Sequence, residues 1–210
     1  MDLAGPGALG PGSGDAGAAV DAAVDAWESR TGTAAGAFSG TVRVAAFPRG
    51  SIPALLARAP GLAGFECTYG RVLAQHLQNP ELKQLVRFRA AHLREFSMTP
   101  ADTGARPPRL QGCGYRNLAR HATQLVRLSV SLAGDARAQL VPALETAALE
   151  HLELYDVGAC TSVDAVCGLL ARAPRLATAR LHGCPAEWRG RGALERLRRA
   201  APRARVQIAP

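Results

Sequence analysis

The stretch LEHLELYDVGACTSVDAVCGLLARAPRLATARLHGC, Leu149 to Cys184, holds one short pattern twice. The pattern is an apolar residue, two others, an apolar residue, one other, and a third apolar residue. It occurs as LEHLEL (Leu149, Leu152, Leu154) and, 27 residues later, as LATARL (Leu176, Ala179, Leu181). On an extended chain the last two apolar positions share one face, because successive side chains alternate sides. The intervening segment ends in LLARAP, whose Pro174 stops a helix and biases the residue before it to extended backbone. Strand, loop, helix and proline stop therefore form one unit.

The same pattern recurs outward from this stretch. Copies stand at LAGFEC (Leu62, Phe65, Cys67), LREFSM (Leu93, Phe96, Met98) and LVRLSV (Leu125, Leu128, Val130). Weaker copies flank them at SGTVRV (Val42, Val44) and RARVQI (Val206, Ile208). The first positions are 39, 62, 93, 125, 149, 176 and 203, giving intervals of 23, 31, 32, 24, 27 and 27 residues. The last three fall within the roughly 20 to 29 residues of a leucine-rich repeat. The two long middle intervals hold insertions or a shifted register: NPELKQLVRF (Asn79 to Phe88) is a rival strand, and TPADTGARPPRLQGCG (Thr99 to Gly114) reads as a loop broken by Pro and Gly. Helical segments precede four of the strands: LLARAP before Leu62 and Leu176, LARHAT before Leu125, and LRRAAP before Arg203.

This order of elements resembles the leucine-rich repeat family, most closely its ribonuclease-inhibitor-like and cysteine-containing types, the latter familiar from F-box/LRR substrate receptors. The likeness is best in residues 117–208 and extends to about residue 39. It implies an α/β solenoid, short and irregular in the middle, with parallel strands on a concave side, helices on a convex side and binding on the concave face. The Asn or Cys of the family's loop position is met by Cys184; Gly70, Ala101, Ala133 and Val157 stand at the equivalent sites. No F-box pattern precedes the repeats, so a ubiquitin-ligase role would rest on analogy alone.

Composition divides the chain in two. Residues 1–37, rich in Gly, Ala, Pro, Ser and Asp, are expected to form a disordered acidic tail. Within it Val20, Val24 and Trp27 give residues 18–30 one apolar helical face, suited to capping the next domain or docking a partner. Residues 38–210 carry 24 of the 26 leucines and are expected to be the repeat domain. The formal charge of +8 comes from arginine, since Lys83 is the lone lysine, and this skew also follows from GC-rich coding. No run of about 18 apolar residues is found and the start lacks a signal-peptide pattern, so a soluble protein of the cytoplasm or nucleus is expected, with no membrane partner.

Five cysteines without a CxxC pair are expected to be reduced and buried. The spacings among His151, His182, Cys160, Cys167 and Cys184 fit no common zinc pattern, and no metal or cofactor is expected. Cys113 in QGCGYR, ahead of His121, has no orienting third group in view, so no catalytic residue is assigned. GRGALERLRRAAPRAR lacks the order of a phosphate-binding loop.

The repeat register puts Arg43, Glu66, Glu150 and Arg205 on the concave sheet, together with the candidate partner-binding set Arg94, Glu95, Arg127, His151, Glu153, Tyr155, Arg180 and His182. Tyr155, Arg127 and Arg180 are the expected hot spots, since Tyr and Arg are over-represented in them. The expected function is a non-enzymatic protein-interaction module, an adaptor or substrate-recognition subunit with another protein as partner. The alternative is nucleic-acid or other polyanion binding through the Arg-rich C-terminal helix, with Arg189, Arg191, Arg196, Arg198 and Arg199.

Overall fold

Seven strands lie side by side in the order in which the chain makes them, every neighbouring pair parallel. They are β1 (Thr41–Val44), β2 (Gly64–Tyr69), β3 (Glu95–Pro100), β4 (Arg127–Ser131), β5 (His151–Tyr155), β6 (Thr178–Leu181) and β7 (Arg205–Ile208). The computed structural model describes residues 16–34, 38, 40–44, 51–69, 85, 92–100, 118, 120–132, 141, 144, 147–158 and 161–209. The described helices are α1 (Ala16–Thr31), α2 (Ser51–Arg58), α3 (Val163–Ala171) and α4 (Arg191–Ala200), with a 3-10 turn at Ala186–Arg189. The fold is α/β.

One row of side chains crosses the whole sheet. Val42, Phe65, Phe96, Leu128, Leu152, Ala179 and Val206 are successive partners from β1 to β7. All seven are buried, and a second row of Met98, Val130, Leu154 and Leu181 lies beside them. The pattern read from the sequence thus sets the register through the 31- and 32-residue intervals as well as the regular ones. A slip of one residue in any strand would turn its apolar pair to the opposite face. Phe65 and Phe96 stack with centroids 6.1 Å apart. These rows share a core with Val24 of α1, Leu55 and Leu56 of α2, Val166, Leu169 and Leu170 of α3, and Leu197 of α4.

The connections into β2, β4, β6 and β7 reuse one turn. The alanine before each proline accepts a bond three residues on: Leu62 N–H to Ala59 at 3.2 Å, Leu176 N–H to Ala173 at 3.1 Å, and Ala204 N–H to Ala201 at 3.0 Å. Where Thr123 replaces the proline, Leu125 N–H still donates to Ala122 at 3.2 Å. Neighbouring units are then tied through the residue before each strand. The carbonyls of Gly40, Ala63, Arg94, Val126, Glu150 and Ala177 accept from Ala63, Arg94, Val126, Glu150, Ala177 and Arg205, at 2.7 to 3.1 Å. A group that recurs at each junction is bonded in the same way each time, so the backbone demand of these turns is met locally.

At the opposite strand ends, the position that the resemblance reserves for Asn or Cys holds Val157 and Cys184, both buried. Backbone bonds join the loops there: Val157 N–H donates to His182 at 3.1 Å and Gly158 N–H to Gly183 at 2.9 Å. Asp156 and Gly183 occupy the same place in consecutive units and both are left-handed, with φ of 56° and 66°. Gly70, Ala101 and Ala133 lie outside the described residues.

The helix expected at 18–30 is α1, and Val24 places it in the common core. Trp27 meets Phe38 edge to face, centroids 5.5 Å apart. Arg58, at the end of α2, bridges three acids on one stripe of α1: Asp21 at 3.1 Å, Asp25 at 2.6 Å and Glu28 at 3.2 Å. Part of the segment assigned to the tail therefore packs on the sheet-bearing body; residues 1–15 lie outside the described residues. So does most of the rival strand at 79–88, of which Leu85 is helical and buried. Of the loop read at 99–114, Thr99 and Pro100 belong to β3 and the remainder lies outside the described residues.

Candidate binding face on the sheet

The residues that alternate with the buried rows form the other face of the sheet. Its first row runs Thr41, Gly64, Glu95, Arg127, His151, Thr178, Arg205. Its second runs Arg43, Glu66, Ser97, Ser129, Glu153, Arg180, Gln207. Ser131, Tyr155 and His182 stand at the C-terminal strand ends. Small residues at the middle of the second row and long ones around them leave a groove of about 510 Å³, lined among others by Glu66, Ser97, Arg127, Ser129, Glu153 and Arg180. Ser97 and Ser129 are only 8 and 3% exposed, so these two serines form the floor.

Among the described residues, each carboxylate of this face is engaged. Glu66 accepts from Arg43 Nε at 2.7 Å. Glu95 accepts from the Thr41 hydroxyl at 2.6 Å, a contact that passes over β2 from β1 to β3. Gly64 permits it: a Cβ there would collide with the Thr41 side chain. Glu153 binds His182 Nε2 at 2.8 Å through one oxygen and lies 3.4 Å from the Ser129 hydroxyl with the other. The Ser131 hydroxyl donates to Asp156 at 2.5 Å. His151 Nδ1 and the Thr178 hydroxyl are 2.8 Å apart.

Tyr155 and His182 stack nearly flat, with centroids 4.5 Å apart and planes 15° from parallel. Burial and the neighbouring Glu153 push the Tyr155 hydroxyl up to about 12. It therefore remains a neutral donor at physiological pH.

Seven of the eight candidate residues come together here: Glu95, Arg127, His151, Glu153 and Arg180 along the groove, with Tyr155 and His182 at its edge. Arg94 does not join a row. It stands exposed in the turn before β3, where its backbone links two units, and Glu95 holds the row position. Glu150 occupies the equivalent turn position before β5. Sequence reasoning passed over Thr41, Ser97, Ser129, Ser131 and Thr178. The same register locates them, but small hydroxyl residues carry no charge or ring to attract notice.

The Arg-rich C-terminal segment lies elsewhere. On α4, Arg191, Arg198 and Arg199 are exposed, while Arg196 pairs with Asp164 of α3. Cys184 is buried, and burial pushes its thiol up to about 11; burial also raises that of the half-buried Cys167. Cys113 and Cys160 lie outside the described residues, and His121 is exposed. Among the described residues no three His, Cys, Asp or Glu side chains converge as a metal site, and no helix is long and apolar enough to cross a membrane. No protein-family model matches the chain, and no curated protein matches it either.

Proposed function

We propose that the chain is a leucine-rich-repeat-like solenoid acting as a non-enzymatic protein-binding module, an adaptor or recognition subunit whose polar sheet face holds another protein. The solenoid part is supported by seven parallel strands in chain order, four of them entered by turns of one hydrogen-bonding type. The observation that carries the functional part is the polar face itself: two rows in register on seven strands, with a groove between long side chains and a serine floor. A rigid array of this kind binds with little reorganisation, so less of the contact energy is lost in ordering side chains. Tyr155, stiffened by its stack on His182, and the guanidiniums of Arg127 and Arg180 are anchors of the type that dominate interfaces.

Affinity purification of the full chain from its native source tests this. Partners are expected to be lost with Tyr155→Ala plus Arg180→Glu and kept with Arg198→Ala plus Arg199→Ala on α4. Partners indifferent to the first pair overturn the assignment of the face. Nucleic acid that binds the unaltered chain, weakens steeply with salt and is lost with the α4 pair would instead establish the polyanion reading.

A further inference from the structure

The charges on the polar face are not equally satisfied. In the first row Arg127 is the direct neighbour of Glu95, and in the second Arg180 is the direct neighbour of Glu153. Both carboxylates turn elsewhere, Glu95 to Thr41 across Gly64 and Glu153 to His182. Arg43 is held by Glu66. Gln207, its amide oxygen turned towards Arg205, accepts from that guanidinium at 3.0 and 3.1 Å. Arg127 and Arg180 are left exposed, and among the described residues neither forms an ion pair. Each presents a planar fork of donors suited to a carboxylate.

Their spacing restricts what can use both. Arg127 lies two strands and one two-residue step from Arg180. At about 4.8 Å per strand and about 3.3 Å per residue, the two positions are about 12 Å apart on the sheet. Carboxylates two or four residues apart on an extended peptide share a face and lie about 7 or 13 Å apart, within reach of two long arginine side chains. Glu66, Glu95 and Glu153 stand around the same groove. A nucleic-acid backbone, charged at every phosphate, would meet these carboxylates along its length, whereas a peptide can place its acids opposite the two arginines alone.

We infer that the segment bound on this face is an acidic peptide, two of its carboxylates two or four residues apart and paired with Arg127 and Arg180. This rests on the proposed binding role of the face. Selection of random dodecamer peptides displayed on phage, with the full chain as bait, tests it. The expected outcome is enrichment of Asp or Glu pairs at that spacing. A synthetic enriched peptide should bind at least tenfold more weakly to Arg127→Gln plus Arg180→Gln, and Arg127→Glu plus Arg180→Glu should select Lys- or Arg-bearing peptides instead. Retained circular dichroism and denaturation midpoints identify variants that fold, and either pair suffices. Enriched peptides that lack acid pairs yet are lost with Tyr155→Ala overturn the acidic inference while the binding face stands. Acidic peptides that bind the glutamine pair unchanged overturn both. Failure to enrich any sequence, or tighter Arg127- and Arg180-dependent binding of a 20-nucleotide single-stranded oligonucleotide, also overturns the acidic peptide.

Discussion

The two faces of the sheet are built from alternate residues of the same seven strands, yet they are satisfied in different ways. On the helix side, contacts are apolar and non-directional, and any side chain of the right size in the row contributes. On the polar side, contacts are directional: Thr41 with Glu95, Glu153 with His182, Ser131 with Asp156. The first face sets register and stability. Among the described residues, the second leaves the guanidiniums of Arg127 and Arg180 without an ion pair after its own carboxylates are engaged. The difference shows how a strand pattern can be held constant while the exposed chemistry varies from strand to strand.

Substitutions that separate the faces should differ most in stability. Phe96→Ala removes a buried ring stacked on Phe65 from the continuous row, and is expected to cost about 3 to 5 kcal/mol in a urea unfolding curve. That is a large part of the roughly 5 to 15 kcal/mol that holds a domain. A loss under about 1 kcal/mol would mean that the apolar face is not the stabilising one.

Next in size is a backbone constraint between units. A Cβ on Gly158 would lie 2.5 Å from Pro185 Cδ and 2.6 Å from the Gly183 carbonyl oxygen. Gly158→Ala must push the two loops apart and is expected to cost about 1 to 3 kcal/mol. On the polar face, Gly64→Ala should cost about 1 kcal/mol, since the Thr41 side chain must move and its bond to Glu95 is lost. A double-mutant cycle with Thr41→Val checks the mechanism: if the bond is responsible, the two losses should overlap rather than add.

Smaller still is the effect of Arg127→Ala plus Arg180→Ala, expected within about 0.5 kcal/mol of the unaltered stability. Binding should nevertheless fall, which is the sharpest contrast between the faces. A comparable drop in stability would instead mark these arginines as structural.

The last expectation is one of pH. Burial and Glu153 hold the Tyr155 proton until about pH 12, while an unfolded chain releases it near 10. Between those values the folded state binds more protons than the unfolded state, so stability contributed by Tyr155 is complete below about pH 10 and is lost as pH rises towards about 12. Tyrosinate absorbance should show one group titrating in that range, absent in Tyr155→Phe. A full tyrosine titration near 10 in the folded protein would contradict the buried, Glu153-flanked environment.

Much of the polar face was legible once the strand pattern was found. Counting positions three and five of each copy gives both rows, including Glu95, Arg127, His151, Glu153 and Arg180. Arg94 and Glu150 fall one residue outside the rows, because each stands in the turn before its strand, where its backbone bonds the neighbouring turns. The serine floor was hidden for a different reason. Serine in sequence reads as loop or cap, and Ser97 and Ser129 matter only because long neighbours stand on either side of them. The Arg58 clamp was also invisible: Asp21, Asp25 and Glu28 repeat at helical spacing, but their partner on α2 is about thirty residues away in sequence.

By itself the sequence determined the strands, their faces and their register, since a period of two with apolar anchors admits only one orientation against a core. It also determined the turns, where Ala-Pro ends each helix it follows. Tertiary structure decided which polar groups are satisfied. Hydrogen bonding depends on distance and direction between residues 23 to 54 positions apart, as in Arg43 with Glu66 and Thr41 with Glu95. Those pairings, set by a glycine in β2 and a histidine just past β6, leave Arg127 and Arg180 without an ion pair among the described residues.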